Sequence, residues 1–291
     1  MNANIEPVSM ARAISDFVEH LRTQKRSSAT VIAYANDLKQ LQKYLEEHRI
    51  TQATTVQTPH LQEFVAHLST NGYTAKSVSR KLNSIKSFFK FLVAQGVIPA
   101  DPAKPLGHPK YDTAPPRILS TDEYKRLRDA CRLDIRMCAI IELLLQTGLR
   151  ISELANLHLE DVSKNELQVK AIENNAARTI PLNKAASASV QNYMAVRPQV
   201  KDPHLFVTKT GRPLLVRNIR TAIDRYFDHA GIKNVKVNDL RHTFVAHQLQ
   251  AGVDPEYLAK TVGHKRLSST SKYLDLVKSS VSTLSSRLVE L

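Results

Sequence analysis

The chain has 291 residues, 42% of them apolar, which is enough for one large or two ordinary domains with a sizeable core. Lys and Arg number 41 against 27 Asp and Glu, a formal charge of +14, and such an excess points to a polyanionic partner, nucleic acid first. MNANIEPVSM lacks the basic start and apolar run of a secretory leader. The longest apolar stretch, MCAIIELLL, is short and carries Glu142, so a cytoplasmic protein with no membrane span is expected.

In chain order, Ile14, Phe17, Val18 and Leu21 repeat at helical spacing. Val31, Tyr34, Leu38, Leu41 and Leu45 do the same behind a Ser28 cap. Thr58-Pro59 opens a third run through Leu61, Phe64, Val65 and Leu68. The fourth run, TAKSVSRKLNSIKSFFKFLVAQG, places Val78, Leu82, Ile85, Phe88, Phe89 and Leu92 on one face. Lys76, Ser79, Arg80, Asn83, Lys86, Ser87 and Lys90 fall on the other, and no acidic residue occurs from Thr74 to Ile98. A solvated face ordinarily mixes signs to gain i,i+4 pairs. A face of one sign repels itself, and phosphates would neutralise it, so Lys76, Arg80, Lys86 and Lys90 are the expected DNA contacts.

Six of the thirteen prolines lie in VIPADPAKPLGHPKYDTAPP, Val97 to Pro116. That stretch reads as a linker. It divides the chain into a helical region, 1–106, a Pro-rich connection, 107–116, and a second region, 117–291. The second region opens with a capped helix at Ser120-Thr121-Asp122-Glu123 and continues into DIRMCAIIELLLQTG, ending at Gly148. Cys131 and Cys138 are read as reduced core thiols on one helix, about 10 Å apart and too far for a disulfide. NELQVKAIENNAARTIPL reads as two short strands around an Asn174-Asn175 turn, and LFVTKTGRPL as a further strand and turn. The rest is helical. The fold class expected is therefore mainly α with a small antiparallel β-sheet, in two domains.

Two arginines stand out. Gly148 ends one helix and Arg150 enters the next. In VNDLRHTF, Asn238 reads as the helix cap, which puts Arg241 and His242 in the first turn. The positive end of a helix dipole disfavours a cation there. An anion held between the arginines and the helix ends would offset that cost, since guanidinium forks around phosphate and helix ends bind anions. Pairing with Glu153 or Asp239 is the other reading, and spacing alone does not choose. No GxxxxGK[ST] loop, GxGxxG turn, HExxH pair or Cys/His cluster occurs, so neither a bound nucleotide nor a catalytic metal is expected. Metal-free attack on a phosphodiester needs a side-chain nucleophile. Tyr273, in GHKRLSSTSKYLDL, supplies one, although a tyrosine at such spacing also serves as a half-buried core residue.

TGLRISEL, DLRHTFVAHQL and VGHKRLSSTSKYLDL, in this order and spacing, resemble the catalytic domain of the tyrosine recombinase (phage integrase) family, and the basic helical region resembles that family's core-binding (SAM-like) domain. Size and layout are most similar to its Xer-type and compact integrase members. The resemblance implies roles for particular residues. Arg150 and Arg241 are the two arginines that hold the phosphate, Glu153 orients its neighbours, and His264 donates to the scissile phosphate. Tyr273 is the nucleophile, forming a 3′-phosphotyrosyl link without metal, ATP or other cofactor. The partners implied are double-stranded DNA, a tetramer of the chain on that DNA, and in some members a second recombinase or accessory protein. Two positions depart from the pattern. Asn238 replaces a histidine, and Glu173 stands where a lysine protonates the leaving 5′-oxygen. Lys170, and less directly Lys164, are the nearest substitutes. An active recombinase is thus the first expectation, and a DNA-binding relative that occupies sites without cutting them is the second. A nicking and relaxing enzyme is the third. The tail, with Val281, Leu284, Leu288 and Leu291 at helical spacing, is expected to pack into a neighbouring subunit. Folding back on its own domain is the alternative.

Overall fold

The computed structural model describes residues 7–112, 114–172, 175–277 and 288–291. The chain divides into two compact units, Met1–Thr113 and Ala114–Leu291.

The first unit packs α1 (Met10–Thr23), α2 (Ser28–Glu47), α3 (Thr58–Thr70) and α4 (Ala75–Ala94) around one apolar core. Side-chain oxygens of Ser9, Ser27 and Thr74 cap α1, α2 and α4, each accepting from a backbone N–H of the first turn. The α2 cap is thus Ser27, one residue before the Ser28 of the sequence reading. The apolar face of α4 is buried as its spacing requires. Its basic face is less uniform than the sequence suggests. Ser79 is buried and bonded to His108, and Arg80 forms a two-pronged ion pair with Asp37 of α2. Asp37 is only 2% exposed and also accepts from Lys81 at 3.0 Å and from Ser84. The acid that balances Arg80 comes from a neighbouring helix, which a search for i,i+4 partners along one helix cannot find. Lys76 and Lys90 are exposed and Lys86 is half-buried, and no salt bridge among the described residues engages them.

In the second unit, α5 (Thr121–Cys131) starts in a capping box between Ser120 and Glu123, and α6 (Ile135–Thr147) starts on the Asp134 carboxylate. That cap breaks the helix between the two cysteines. Cys131 and Cys138 therefore stand on different helices with their sulfurs 3.1 Å apart, not two turns apart on one helix. α6 ends at Gly148, whose φ of 61° and contact with the Phe244 ring leave no room for a Cβ. Next come α7 (Ile151–Ala155), β1 (Glu166–Val169), β2 (Arg178–Pro181), α8 (Lys184–Val196) and α9 (Val216–His229). They are followed by α10 (Val237–Gln250), α11 (Pro255–Val262) and α12 (Ser268–Ser271). β1 and β2 form an antiparallel pair in which Leu167 faces Ile180 and Val169 faces Arg178. Ile172 and Asn175 exchange backbone hydrogen bonds across the turn. Glu173 and Asn174 lie outside the described residues. The segment read as a further strand makes only a single bridge, between Val207 and Pro213, beside a turn at Gly211.

Among the described residues no helix is long and apolar enough to cross a membrane. The tail from 278 to 287 lies outside them. Its last residues dock on their own unit: Gln248 pairs with the backbone of Val289, Gln146 with that of Leu291, and Arg128 donates to the Leu291 carbonyl. Seating these residues in a neighbouring subunit, as the sequence reading expects, would first break these contacts.

The Asp37 cluster carries a stability prediction. Asp37→Ala leaves buried Lys81 without its carboxylate, a loss of about 3–5 kcal/mol. Thermal unfolding of the variant should show it, whereas Lys76→Ala should change stability by less than about 0.5 kcal/mol.

Candidate active site

α10 is held by burial on nearly every side, with Leu240, Phe244 and Val245 fully enclosed. It begins at Val237 rather than Asp239. Asp239 is the third helical residue, and its carboxylate accepts from the Lys236 N–H at 2.7 Å. Asn238 is therefore not the cap, and Arg241 lies two residues, about half a turn, further from the positive helix end than the sequence suggests.

The surroundings of Arg241 explain why it is tolerated. The guanidinium, 5% exposed, donates to the Gly148 carbonyl at 2.5 Å and the Val262 carbonyl at 2.8 Å. These carbonyls lie at the C-terminal ends of α6 and α11, where helix dipoles are negative. Arg150 behaves similarly. It precedes α7, but its Nη2 donates to the Gly263 carbonyl at 2.8 Å, beyond the end of α11. A third arginine joins them. Arg178, on β2, donates through Nε to the Thr261 carbonyl at 2.8 Å. A Cβ on Gly263 would meet this guanidinium at 3.0 Å, so the glycine makes room for it. The sequence reading placed Arg178 only within the second strand of the hairpin and gave it no role. Its signal was an arginine at the start of a strand whose next inward residue, Ile180, is core.

Glu153 ties these groups together. Its side chain is 1% exposed and accepts from Arg150 at 2.9 Å and from both terminal nitrogens of Arg178 at 2.9 and 2.8 Å. It also accepts from the Arg150 backbone N–H at 2.9 Å. Burial would raise its pKa, but the bonds from Arg178 and the Arg150 N–H, with the charges of both arginines, hold it below the ordinary carboxylate value. One carboxylate among three guanidiniums leaves two positive charges in the cluster. Burial, and then the like charge of Arg150, lower the Arg241 pKa, but the group stays protonated at neutral pH.

His264 follows the left-handed Gly263 that ends α11. Its Nδ1 lies 2.7 Å from the hydroxyl of Thr270, which is fully buried, and no hydrogen bond among the described residues occupies Nε2. Burial, then Arg241 and Arg150, push it down to about 4, so it is neutral at pH 7. Tyr273 is 2% exposed, and burial pushes its phenol up to about 12, with Arg241 opposing and Asp239 adding to the shift. The Tyr273 hydroxyl lies 2.5 Å from Nδ1 of His242, and Nε2 of the same ring lies 2.8 Å from the Asn238 amide nitrogen. Lys272 sits 5.2 Å above the Tyr273 ring. The structure thus brings Arg150, Glu153 and Arg241 into one network, with His264 and Tyr273 beside it. Lys170 stands apart from that network. It is half-exposed and paired with Glu160 at 2.6 Å and Asp161 at 3.1 Å.

Comparison with known proteins identifies the family and the fold. The phage integrase family model matches residues 117–279, and the model of the phage integrase N-terminal SAM-like domain matches 14–96. A tyrosine recombinase XerD of Staphylococcus aureus is 32% identical over 288 residues, covering 94% of this chain and 96% of the relative. A tyrosine recombinase XerC of Roseiflexus castenholzii is 30% identical, covering 92% and 90%. Among solved structures, a lambda integrase tetramer bound to a Holliday junction superimposes with a TM-score of 0.73 at 16% identity, covering 89% and 78%. At that identity the likeness is one of fold.

Glu153→Gln should lower stability by about 3–5 kcal/mol at pH 7, because two guanidiniums lose their buried anion. The wild-type carboxylate has a depressed folded-state pKa, so its contribution is complete above the unfolded value and is lost as pH falls through the folded one. Urea denaturation between pH 7 and 3 should therefore show the two proteins converging toward the acid end.

Proposed function

The chain belongs to the phage integrase family of tyrosine recombinases, and from that premise we propose that it is a site-specific DNA recombinase acting through a covalent link at Tyr273. The observation that carries the proposal is the charge imbalance around Glu153. Three guanidiniums cluster around a single carboxylate, which pairs with two of them, beside a buried tyrosine and a neutral histidine. A scissile phosphate would supply the missing negative charge.

In this reading Arg150 and Arg241 clasp the non-bridging phosphate oxygens and stabilise the charge that grows on them in the phosphorane-like transition state. Glu153 and Arg178 act through Arg150, fixing its fork. Thr270 donates its hydroxyl proton to Nδ1 of His264. That leaves Nε2–H free to bond the phosphate, a role suited to a ring that is neutral at working pH. Tyr273 gives up its phenolic proton to solvent, and its oxygen attacks phosphorus. The Oη–P bond forms as the P–O5′ bond breaks, and the 5′-oxygen leaves as a hydroxyl after taking a proton. Lys170 is the donor we assign, released from Glu160 and Asp161 by DNA. A 5′-hydroxyl from the partner strand then attacks the phosphotyrosine and restores the tyrosine. One phosphate ester replaces another at each step, so the bond energy is conserved and the reaction requires neither ATP nor metal. Lys76, Lys86 and Lys90 of α4 contact DNA phosphates, and Arg80 contributes from its pair with Asp37. A tetramer holds two DNA sites.

Two readouts test this. Wild-type protein mixed in EDTA with plasmid carrying its native flanking DNA should give an SDS-stable, protease-sensitive adduct that Tyr273→Phe does not give. Binding without an adduct would instead identify a non-cutting relative, the reading that Asn238 favours. In gel-shift titrations across salt, Lys76→Gln and Lys90→Gln should each flatten the slope of log K against log salt by roughly 1.

A further inference from the structure

The hydrogen bonds on the solvent side of α10 form a chain that ends on the nucleophile. Asn238 is exposed, and its amide nitrogen lies 2.8 Å from Nε2 of His242, one helical turn later. Nδ1 of the same ring lies 2.5 Å from the Tyr273 oxygen. With the Asn238 amide oriented nitrogen-first toward the ring, Nε2 is the acceptor and the proton of the neutral ring is assigned to Nδ1. Nδ1–H then donates to the phenolic oxygen.

We propose that His242 is a catalytic residue which donates Nδ1–H to the Tyr273 oxygen and steadies the phenolate that attacks phosphorus, and that Asn238 is a positioning residue which fixes the tautomer able to do so. The proposal rests on the reading of Tyr273 as the nucleophile. It also gives a physical account of the departure at position 238. A histidine there could face Nε2 of His242 as donor or acceptor, depending on its own tautomer. Asparagine's amide stays a donor across the pH range, and the second ring is held in one form.

The charged surroundings agree. Burial opposes ionisation of Tyr273, and Asp239 of α10 opposes it too. Arg241 favours ionisation, and Lys272 lies over the ring. His242 faces Asp239, Lys272, Arg241 and His264, and burial keeps its pKa below the ordinary histidine value. It therefore reaches the phenol as a neutral donor, with no second charge added to a cluster already rich in cations. A hydrogen bond to the charged form of an acid favours that form.

The test uses the full-length protein and two variants, His242→Leu and Asn238→Leu. The first readout is 19F NMR of protein labelled with difluorotyrosine, whose phenol titrates near neutrality, with Tyr273→Phe identifying the resonance. The second is the pH profile of adduct formation on cognate DNA. His242→Leu should move the Tyr273 titration to higher pH and slow adduct formation at pH 7 by about 10–10²-fold, the usual effect of one hydrogen bond to a charged group. Much of that loss should be recovered as pH rises. Asn238→Leu should give a smaller shift in the same direction, because His242 then samples both tautomers. An unchanged Tyr273 titration in His242→Leu overturns the proposal, as does a slowed reaction with an unaltered pH profile. If wild-type protein forms no adduct, the recombinase reading fails on that count, and the NMR titration alone still decides whether His242 supports the phenolate.

Discussion

A carboxylate buried among three guanidiniums is stable only if every partner stays in place. Glu153 has almost no access to water, so its charge depends on Arg150, Arg178 and the Arg150 backbone N–H. The arginines in turn exceed the one carboxylate. They are tolerated because the carbonyls at the ends of α6 and α11 point into the cluster, through Gly148 O, Thr261 O, Val262 O and Gly263 O. Helix packing fixes these carbonyls, and the arginines cannot relax toward solvent without abandoning them. The positive charge is therefore built into the fold before any anion arrives, which is the arrangement that electrostatic preorganisation requires.

Both glycines at these helix ends follow from the same constraint. Gly148 and Gly263 adopt the left-handed conformation that turns the chain after a helix. A side chain at the first would strike Phe244, and at the second would press on Arg178. Each helix end thus stops where its carbonyls can reach an arginine, and the next functional residue follows at once: Arg150 two residues after Gly148, and His264 directly after Gly263. Motifs that read as short strings in the sequence are helix ends whose terminal carbonyls act as ligands for guanidinium.

Tyr273 and the histidines are set by burial. Its enclosure makes the phenol a poor acid, while Arg241 and the bond to His242 work the other way. His264 is kept neutral by burial first and by Arg241 and Arg150 next, so it can donate one hydrogen bond without adding charge. The site divides its labour in this way. Arginines carry the charge, and neutral rings carry the directional hydrogen bonds.

Much of this was legible in the sequence because it depends on residue order and helical period. The apolar stripes of α1 to α4 and the hairpin follow from local spacing, and the three ordered motifs that resemble the family single out Arg150, Glu153, Arg241, His264 and Tyr273. The remainder depends on partners distant in the chain. Asp37 reaches Arg80 across 43 residues, Arg178 reaches Glu153 across 25, and Arg241 reaches Gly148 across 93. Spacing along one helix cannot reveal such pairs. The same limit accounts for the cysteines, which the Asp134 cap places on separate helices with their sulfurs in contact. Asn238 is a local miss: the Asp239 carboxylate, third in the helix, accepts from the Lys236 N–H, and the helix starts two residues earlier. By itself the sequence determined the motifs, the helical stripes and the chemical type of each side chain, because side-chain identity and helical period are local. Only the tertiary structure decided which charges are paired, which are left over and which tautomer meets the tyrosine, because those depend on burial and on carbonyls contributed by other helices.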